Sequence, residues 1–269
     1  MKIASILCPT DYSEPSRHAM EYAVAIAHWS GARIVTLHVA VEEYATVPAL
    51  VGGGQDPAAD PQIVYGSSPA ETIADFAASS GADLIVIGTH GASGFRHLLL
   101  GSVTETILRV VDCPVLTVPP HAHATAELPF RRVLSAVDFS PSSLAALQLA
   151  SSVAEECRAK LDVLHVIDEP DEYELFVPRS YDVHRHAEAH TRRVADRLRQ
   201  IAPPVAPGHS RVQVRIARGV AEDEILRIAW ESCADLIALG VGRGKAPMFG
   251  STVNHVVRHA RCPVLTVRQ

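Results

Sequence analysis

Aromatic residues are scarce, at 5% of the 269 residues with only two tryptophans, so any core must be packed from Ala, Val, Leu and Ile. Long apolar runs are missing as well. No segment reaches the roughly 18 consecutive apolar residues that a membrane helix needs, which excludes a spanning segment of that kind. Residues 1–7 are too short an apolar run, stopped by Cys8 and Pro9, to be a secretory leader, and they read as a first β-strand. There is no Cys-x-x-Cys pair. The five cysteines (Cys8, Cys113, Cys157, Cys233 and Cys262) are an odd, scattered set, which suggests reduced thiols and a cytoplasmic protein. A basic excess is also lacking: Lys and Arg number 24 against 30 Asp and Glu, a net charge of −6, which argues against nucleic acid as the partner. What remains, 48% hydrophobic and 20% charged, is an ordinary folded composition. The length suits one large domain or two small ones.

An internal repeat decides between them. Val137-Asp138-Phe139-Ser140 echoes Thr10-Asp11-Tyr12-Ser13 at an offset of 127, and Leu164-His165-Val166 repeats Leu37-His38-Val39 at the same offset. Asp235-Leu236-Ile237-Ala238-Leu239-Gly240 follows Asp83-Leu84-Ile85-Val86-Ile87-Gly88 at 152. Cys262-Pro263-Val264-Leu265-Thr266-Val267 copies Cys113-Pro114-Val115-Leu116-Thr117-Val118 residue for residue at 149. The chain therefore reads as a first domain over 1–120, a linker over 121–129 and a second domain over 130–269.

Each copy alternates short apolar runs with helical patterns. Ile3–Leu7, Ile34–Val39, Gln62–Tyr65, Leu84–Ile87 and Val115–Val118 fit strands buried on both faces, as in parallel sheets. Between them, Met20, Ala23, Val24 and Ala27 share one helical face, as do Ile73, Phe76 and Ala77, matched by Ile225, Ile228 and Ala229. Ser140 followed by Pro141 predicts an N-cap with proline at the first helical position. The expected fold is α/β: two tandem doubly wound sheets with ligands beyond the strand carboxyl ends. The final strands Val115–Val118 and Val264–Val267 are candidate pairing edges. The second copy adds a helix over about 182–200, where the first has a glycine- and proline-rich stretch, Ala40–Pro61, that cannot hold one.

After the fourth strand of the first copy come Gly88, Gly91, Gly101 and Ser102 in a Gly-x2-Gly-x9-Gly-Ser spacing. Glycines let backbone N–H groups approach an anion closely, and Ser102 opens a helix whose Val103, Ile107 and Val110 are expected to face inward. From spacing alone this is either a phosphate cradle or a long glycine-rich turn. Asp11, likewise, is either a helix-capping turn residue or a ligand contact.

Thr-Asp-Tyr-Ser after the first strand, Leu-His-Val at the end of the second, the glycine motif and Cys-Pro-Val-Leu at the last strand together resemble the universal stress proteins, over nearly the whole chain and once per copy. The resemblance implies five-stranded parallel sheets of the Rossmann-like, adenine nucleotide alpha hydrolase-like kind, a cytosolic stress-response role, and an assembly in which strands pair into a homo-oligomer. It implies an ATP site in the first copy, with or without Mg2+. Pro9, Thr10, Asp11 and Val39 would meet adenosine, and Gly88, His90, Gly91, Gly101, Ser102 and Val103 the ribose and phosphates. The second copy keeps Asp138, Val166, Gly240, Gly250, Ser251 and Thr252, a candidate second site. Its connecting loop is three residues shorter, however, with Arg243 where the second glycine belongs and Pro247 lacking an N–H. Lys245 after Gly244 is not a P-loop, because Ala246 stands where Ser or Thr is required.

Other motifs carry less. His184, His186 and His190 fall on the added helix among Arg185, Arg192 and Arg193, which reads as a solvated face rather than a metal site. His121 and His123 lie in the linker. Cys113 and Cys262 read as small core residues. No nucleophile–base pair or carboxylate dyad accompanies the glycine loop, so the expectation is a binding and regulatory protein with at most slow hydrolysis or self-phosphorylation.

Overall fold

The structure is a computed structural model that describes residues 3–41, 62–89, 100–122, 130–168, 181–203, 212–242 and 251–269, with the backbone alone for 181–187 and 251. The first half runs β1 (Ser5–Pro9), α1 (Glu14–Ser30), β2 (Arg33–Ala40), β3 (Gln62–Tyr65), α2 (Pro69–Ser80), β4 (Leu84–Gly88), α3 (Ser102–Val110), β5 (Val115–Val118). The second runs β6 (Arg132–Ala136), α4 (Pro141–Cys157), β7 (Lys160–Ile167), α5 (Tyr181–Ile201), β8 (Val212–Arg218), α6 (Ala221–Glu231), β9 (Leu236–Val241), α7 (Ser251–His259), β10 (Val264–Arg268). All five expected strands of the first copy form, and so does the added helix, as α5.

The strands do not make two separate sheets. They make one, in the order β3-β2-β1-β4-β5-β10-β9-β6-β7-β8. Every neighbouring pair is parallel except β5 with β10, which is antiparallel, so the two expected pairing edges are joined within the chain. Leu116 lies opposite Leu265 at the centre of that seam. On either side of it Thr117 Oγ1 donates to the Val264 carbonyl and Thr266 Oγ1 to the Val115 carbonyl, each at 3.2 Å. These bonds are images of one another under the 149-residue offset, which makes the seam an approximate twofold axis. Two hydrophobic cores, one per sheet face, therefore run through both halves.

Local chemistry explains the elements. Ser13 and Ser140 cap α1 and α4, accepting from the N–H groups of Ser16 and Ser143 at 3.3 and 3.2 Å, with a proline in the first turn of each helix. Gly31 and Gly81 end α1 and α2 in the left-handed conformation. Two helical faces differ from expectation. On α1 the fully buried stripe is Ala19, Tyr22, Ala23 and Ile26, with Met20, Val24 and Ala27 at its margin, because the aromatic ring of Tyr22 turns inward. On α3, Ile107 is buried as expected, but Val110 is 46% exposed and Thr104 and Leu108 take the inward positions. Thr104 is drawn in by its hydrogen bond to the Gly88 carbonyl at 2.8 Å.

Candidate functional site

In the first half the strand order reverses between β1 and β4, and the carboxyl ends of these two strands open onto the first turns of α1 and α3. This is where doubly wound sheets hold ligands. Pro9 ends β1, and the Thr10 N–H donates to the Leu37 carbonyl at 2.8 Å. Asp11 is exposed there. Its Oδ1 accepts from the Ser13 N–H and hydroxyl at 3.0 and 2.5 Å, a local turn that braces Ser13, the residue that caps α1. Between them Tyr12 has φ 61°, a left-handed conformation few side chains adopt, and its ring lies 4.7 Å from that of His38. His38 Nδ1 donates to the Thr10 carbonyl at 2.8 Å, which locks the turn to the end of β2. Val39 follows, half-buried in β2.

Opposite this turn, Gly88 ends β4 against α1. A Cβ on Gly88 would stand 2.9 Å from the Pro15 carbonyl oxygen, so the residue is glycine for close approach rather than for an unusual φ. The Thr89 N–H donates to the Val118 carbonyl, and the Thr89 carbonyl accepts from the Gly101 N–H at 2.8 Å. Gly101 thereby starts α3 beside the strand ends. No side chain among the described residues caps that helix, so the N–H groups of its first turn face the opening; Ser102 is exposed and Val103 half-buried. A helix start with unfilled N–H groups attracts anions. His90 and Gly91 lie outside the described residues.

The second half repeats this architecture in detail. Phe139 takes φ 65°, its ring lies 4.8 Å from that of His165, and His165 Nδ1 donates to the Val137 carbonyl at 2.6 Å. Asp138 Oδ1 accepts from the Ser140 N–H at 2.9 Å. Burial works against the Asp138 carboxylate, but hydrogen bonds from Ser140 and Ser143 outweigh it and hold its pKa below the usual value. Gly240 packs more tightly than Gly88, since a Cβ there would collide with the backbone of Ser142 and Ser143. The pairing of a left-handed aromatic with a backing histidine was not anticipated from sequence, although Tyr/Phe and His recur at the 127-residue offset in both copies.

Two features separate the halves. Thr252 Oγ1, in the first turn of α7, donates to Glu222 Oε2 at 2.9 Å, whereas the matching residues of the first half are Val103 and Ala70. A carboxylate thus sits against the helix start that corresponds to the open one on α3. In addition, Arg197 of α5 lies over the Phe139 ring, 4.1 Å from its centroid, on a helix that the first half lacks. Val166 is half-buried in β7. Gly250, Arg243, Lys245, Pro247 and the Ser251 side chain lie outside the description.

The remaining motif residues stay apart from this site. His190 and His121 are exposed, while His123 and the side chains of His184 and His186 are not described. Among the described residues no three His, Cys, Asp or Glu side chains gather as metal ligands, and no helix is long and apolar enough to cross a membrane. Burial raises the thiols of Cys113 and Cys262 to about 11 and about 12, as suits packing residues, although both keep some exposure.

Comparison with known proteins agrees with this architecture. The family model described as the universal stress protein family matches residues 2–61, 54–119 and 129–268. The chain belongs to the universal stress protein family. It is 32% identical over 137 residues to a universal stress protein of Methanocaldococcus jannaschii, a match spanning 42% of this chain and 80% of that one. A universal stress protein of Mycobacterium bovis is 27% identical over 225 residues, covering 81% of this chain and 72% of the other. The crystal structure of a universal stress protein from Archaeoglobus fulgidus superposes with a TM-score of 0.68 at 24% identity, covering 100% of this chain and 99% of that one, and so shares the fold in tandem form.

Proposed function

We propose that the first half binds ATP, with Mg2+ as counter-ion, and that the protein acts in a stress response by nucleotide-dependent regulation rather than by turnover. The observation that carries this reading is the uncapped start of α3, brought beside the carboxyl ends of β1 and β4 by the Gly101–Thr89 hydrogen bond. In the proposal the first-turn N–H groups of Ser102 and Val103 and the Ser102 hydroxyl receive phosphate oxygens, with Gly88, His90, Gly91 and Gly101 completing the cradle. Pro9, Thr10, Asp11 and Val39 form the adenosine side. The second half, with Asp138, Val166, Gly240, Gly250, Ser251 and Thr252, is the weaker site, because Glu222 already places a negative charge on the first turn of α7. The same reading puts the protein in the cytoplasm as a homodimer of tandem chains, with residues 1–120 and 130–269 as its domains.

Ser102→Asp separates binding from folding. An acidic residue in the first turn stabilises a helix by about 0.3–1 kcal/mol but repels a polyphosphate. ATP affinity measured by equilibrium dialysis should fall roughly 10–100-fold while Tm stays level or rises, since one unit charge 5 Å away contributes about 1–3 kcal/mol at effective dielectrics of 80 to 20. Unchanged affinity would sink the proposal.

A further inference from the structure

The second half carries a cavity of about 990 Å³, on the same sheet edge as the carboxyl ends of β1 and β4 because β5 and β10 are antiparallel, but lined by different residues. It lies beneath the amino ends of β6, β9 and β10. Tyr22 of α1 also contributes to its wall, together with Phe130, Leu226 and Pro263, so its lining is largely apolar. Trp230, at the end of α6, stands at its rim 65% exposed, an uncommon position for the largest apolar side chain. The Arg261 guanidinium lies over the indole at 4.4 Å. Arg131 lines the same cavity.

The charges at this rim are unevenly committed. Arg227 is held by Glu224 and Glu231 at 2.5 and 2.7 Å, and in turn occupies both carboxylates. Asp235 accepts the backbone N–H groups of Arg131 and Arg132 on its two oxygens, at 2.7 and 3.0 Å. His259 donates from Nδ1 to the His255 carbonyl at 2.9 Å. Neither the Arg131 nor the Arg261 guanidinium lies within salt-bridge distance of a carboxylate among the described residues. Asp235 and Glu231 share this lining, and the Arg131 charge also acts on Asp235, but both carboxylates are already hydrogen-bonded, and the Arg131 and Arg261 guanidinium groups border the apolar part of the hollow beside the indole.

The repeat provides an internal control. Trp230, Arg261 and Arg131 correspond to Ala78, Asp112 and Ala4 of the first half, under the 152-, 149- and 127-residue offsets. The first half therefore has no aromatic and no cation at these places, and one of them is acidic. The fold does not demand this group, because the same fold is built without it in the other half of the chain.

We propose that this cavity is a second ligand site, distinct from the nucleotide site, for a small organic anion with an aromatic or aliphatic body, its carboxylate met by Arg131 and Arg261 and its body by Trp230 and the apolar wall. Cation–aromatic stacking pre-orients Arg261, and apolar burial supplies the remaining affinity.

The test uses the full chain and ligand-observed fluorine NMR with 4-(trifluoromethyl)benzoate, against the neutral 4-(trifluoromethyl)benzyl alcohol. Saturable binding with a Kd of about 1 mM or tighter is expected for a probe of this size. The alcohol should bind at least tenfold more weakly. Arg131→Gln with Arg261→Gln should weaken the benzoate tenfold or more. Trp230→Ala with Arg261→Asp, which installs the first half's residues at two exposed positions, should abolish binding while the circular dichroism spectrum stays that of the parent. Saturating ATP should leave the benzoate affinity unchanged. Equal binding of the alcohol, retention by either double variant, competition by ATP, or no saturation by about 10 mM would each overturn the proposal. None of these outcomes bears on whether ATP binds the first half.

Discussion

The two halves of this chain solve one folding problem with the same hydrogen bonds and different surroundings. Each turns at the end of its first strand through a left-handed aromatic, Tyr12 or Phe139, backed by a histidine that donates to the turn, His38 or His165. Each packs a glycine, Gly88 or Gly240, against the first turn of the helix that follows its half's first strand, α1 or α4. Around that shared frame the halves diverge. Among the described residues no side chain caps the start of α3 in the first, where Ala70 and Val103 stand in place of Glu222 and Thr252. The second hydrogen-bonds Glu222 to Thr252 and lays Arg197 over its aromatic. The frame is the part the fold requires, and the divergent residues are where function can differ.

The steepest contrast should be in stability. Gly240→Ala drives a Cβ into the backbone of α4, and Gly88→Ala meets a carbonyl oxygen at 2.9 Å. Overpacking of this kind costs roughly 1–3 kcal/mol, and the Gly240 change belongs at or above the upper end. Urea denaturation should rank Gly240→Ala as the more damaging by about 1 kcal/mol or more. A reversed order would mean that the frame is not packed as described.

Removing the cover from the second half is the next test. Arg197→Ala deletes a cation–aromatic contact worth about 0.5–1 kcal/mol and should lower stability by about that amount. It should leave ATP affinity of the first half unchanged, as read by dialysis against the parent. A shift in that affinity would show that the halves communicate through α5.

The smallest expected effect is a pH dependence. Asp138 has a folded pKa below its ordinary value of 3.8, because hydrogen bonds from Ser140 and Ser143 outweigh the burial that opposes it. Its stabilising contribution is therefore complete above that ordinary value and is lost as the pH falls through the lowered one. Asp138→Asn should be slightly less stable than the parent at pH 7, with the gap in Tm closing on acidification. A gap that widened in acid would contradict the hydrogen-bonded carboxylate. Asp138 keeps more than a third of its surface exposed, so the burial that opposes ionisation is only partial and solvent screening keeps the effect small.

Much of this was legible in the residues themselves. The continuous apolar runs Leu84–Ile87 and Val115–Val118 have to be buried on both faces, and the serine–proline start of α4 declares itself chemically. The copied Cys-Pro-Val-Leu-Thr-Val segment marked both the repeat and the strands that meet. What stayed hidden depends on contacts between distant residues. Nothing local to Val110 shows that Thr104 will be pulled inward by a carbonyl 16 residues away. An apolar Ala-rich pattern on α1 does not reveal which way Tyr22 turns. The two strands that meet were marked, but not that they meet within one chain in the antiparallel register Leu116–Leu265. The carboxylate on the first turn of α7 likewise comes from Glu222 reaching across from α6, 30 residues earlier in the chain.

The unequal halves make one direct demand on experiment. Calorimetric titration of the full chain with ATP and Mg2+ should give a stoichiometry of one nucleotide per chain, and Ser102→Asp should remove that heat. A second equivalent bound as tightly as the first, or a tight equivalent that survives Ser102→Asp, would contradict the assignment of nucleotide to the start of α3.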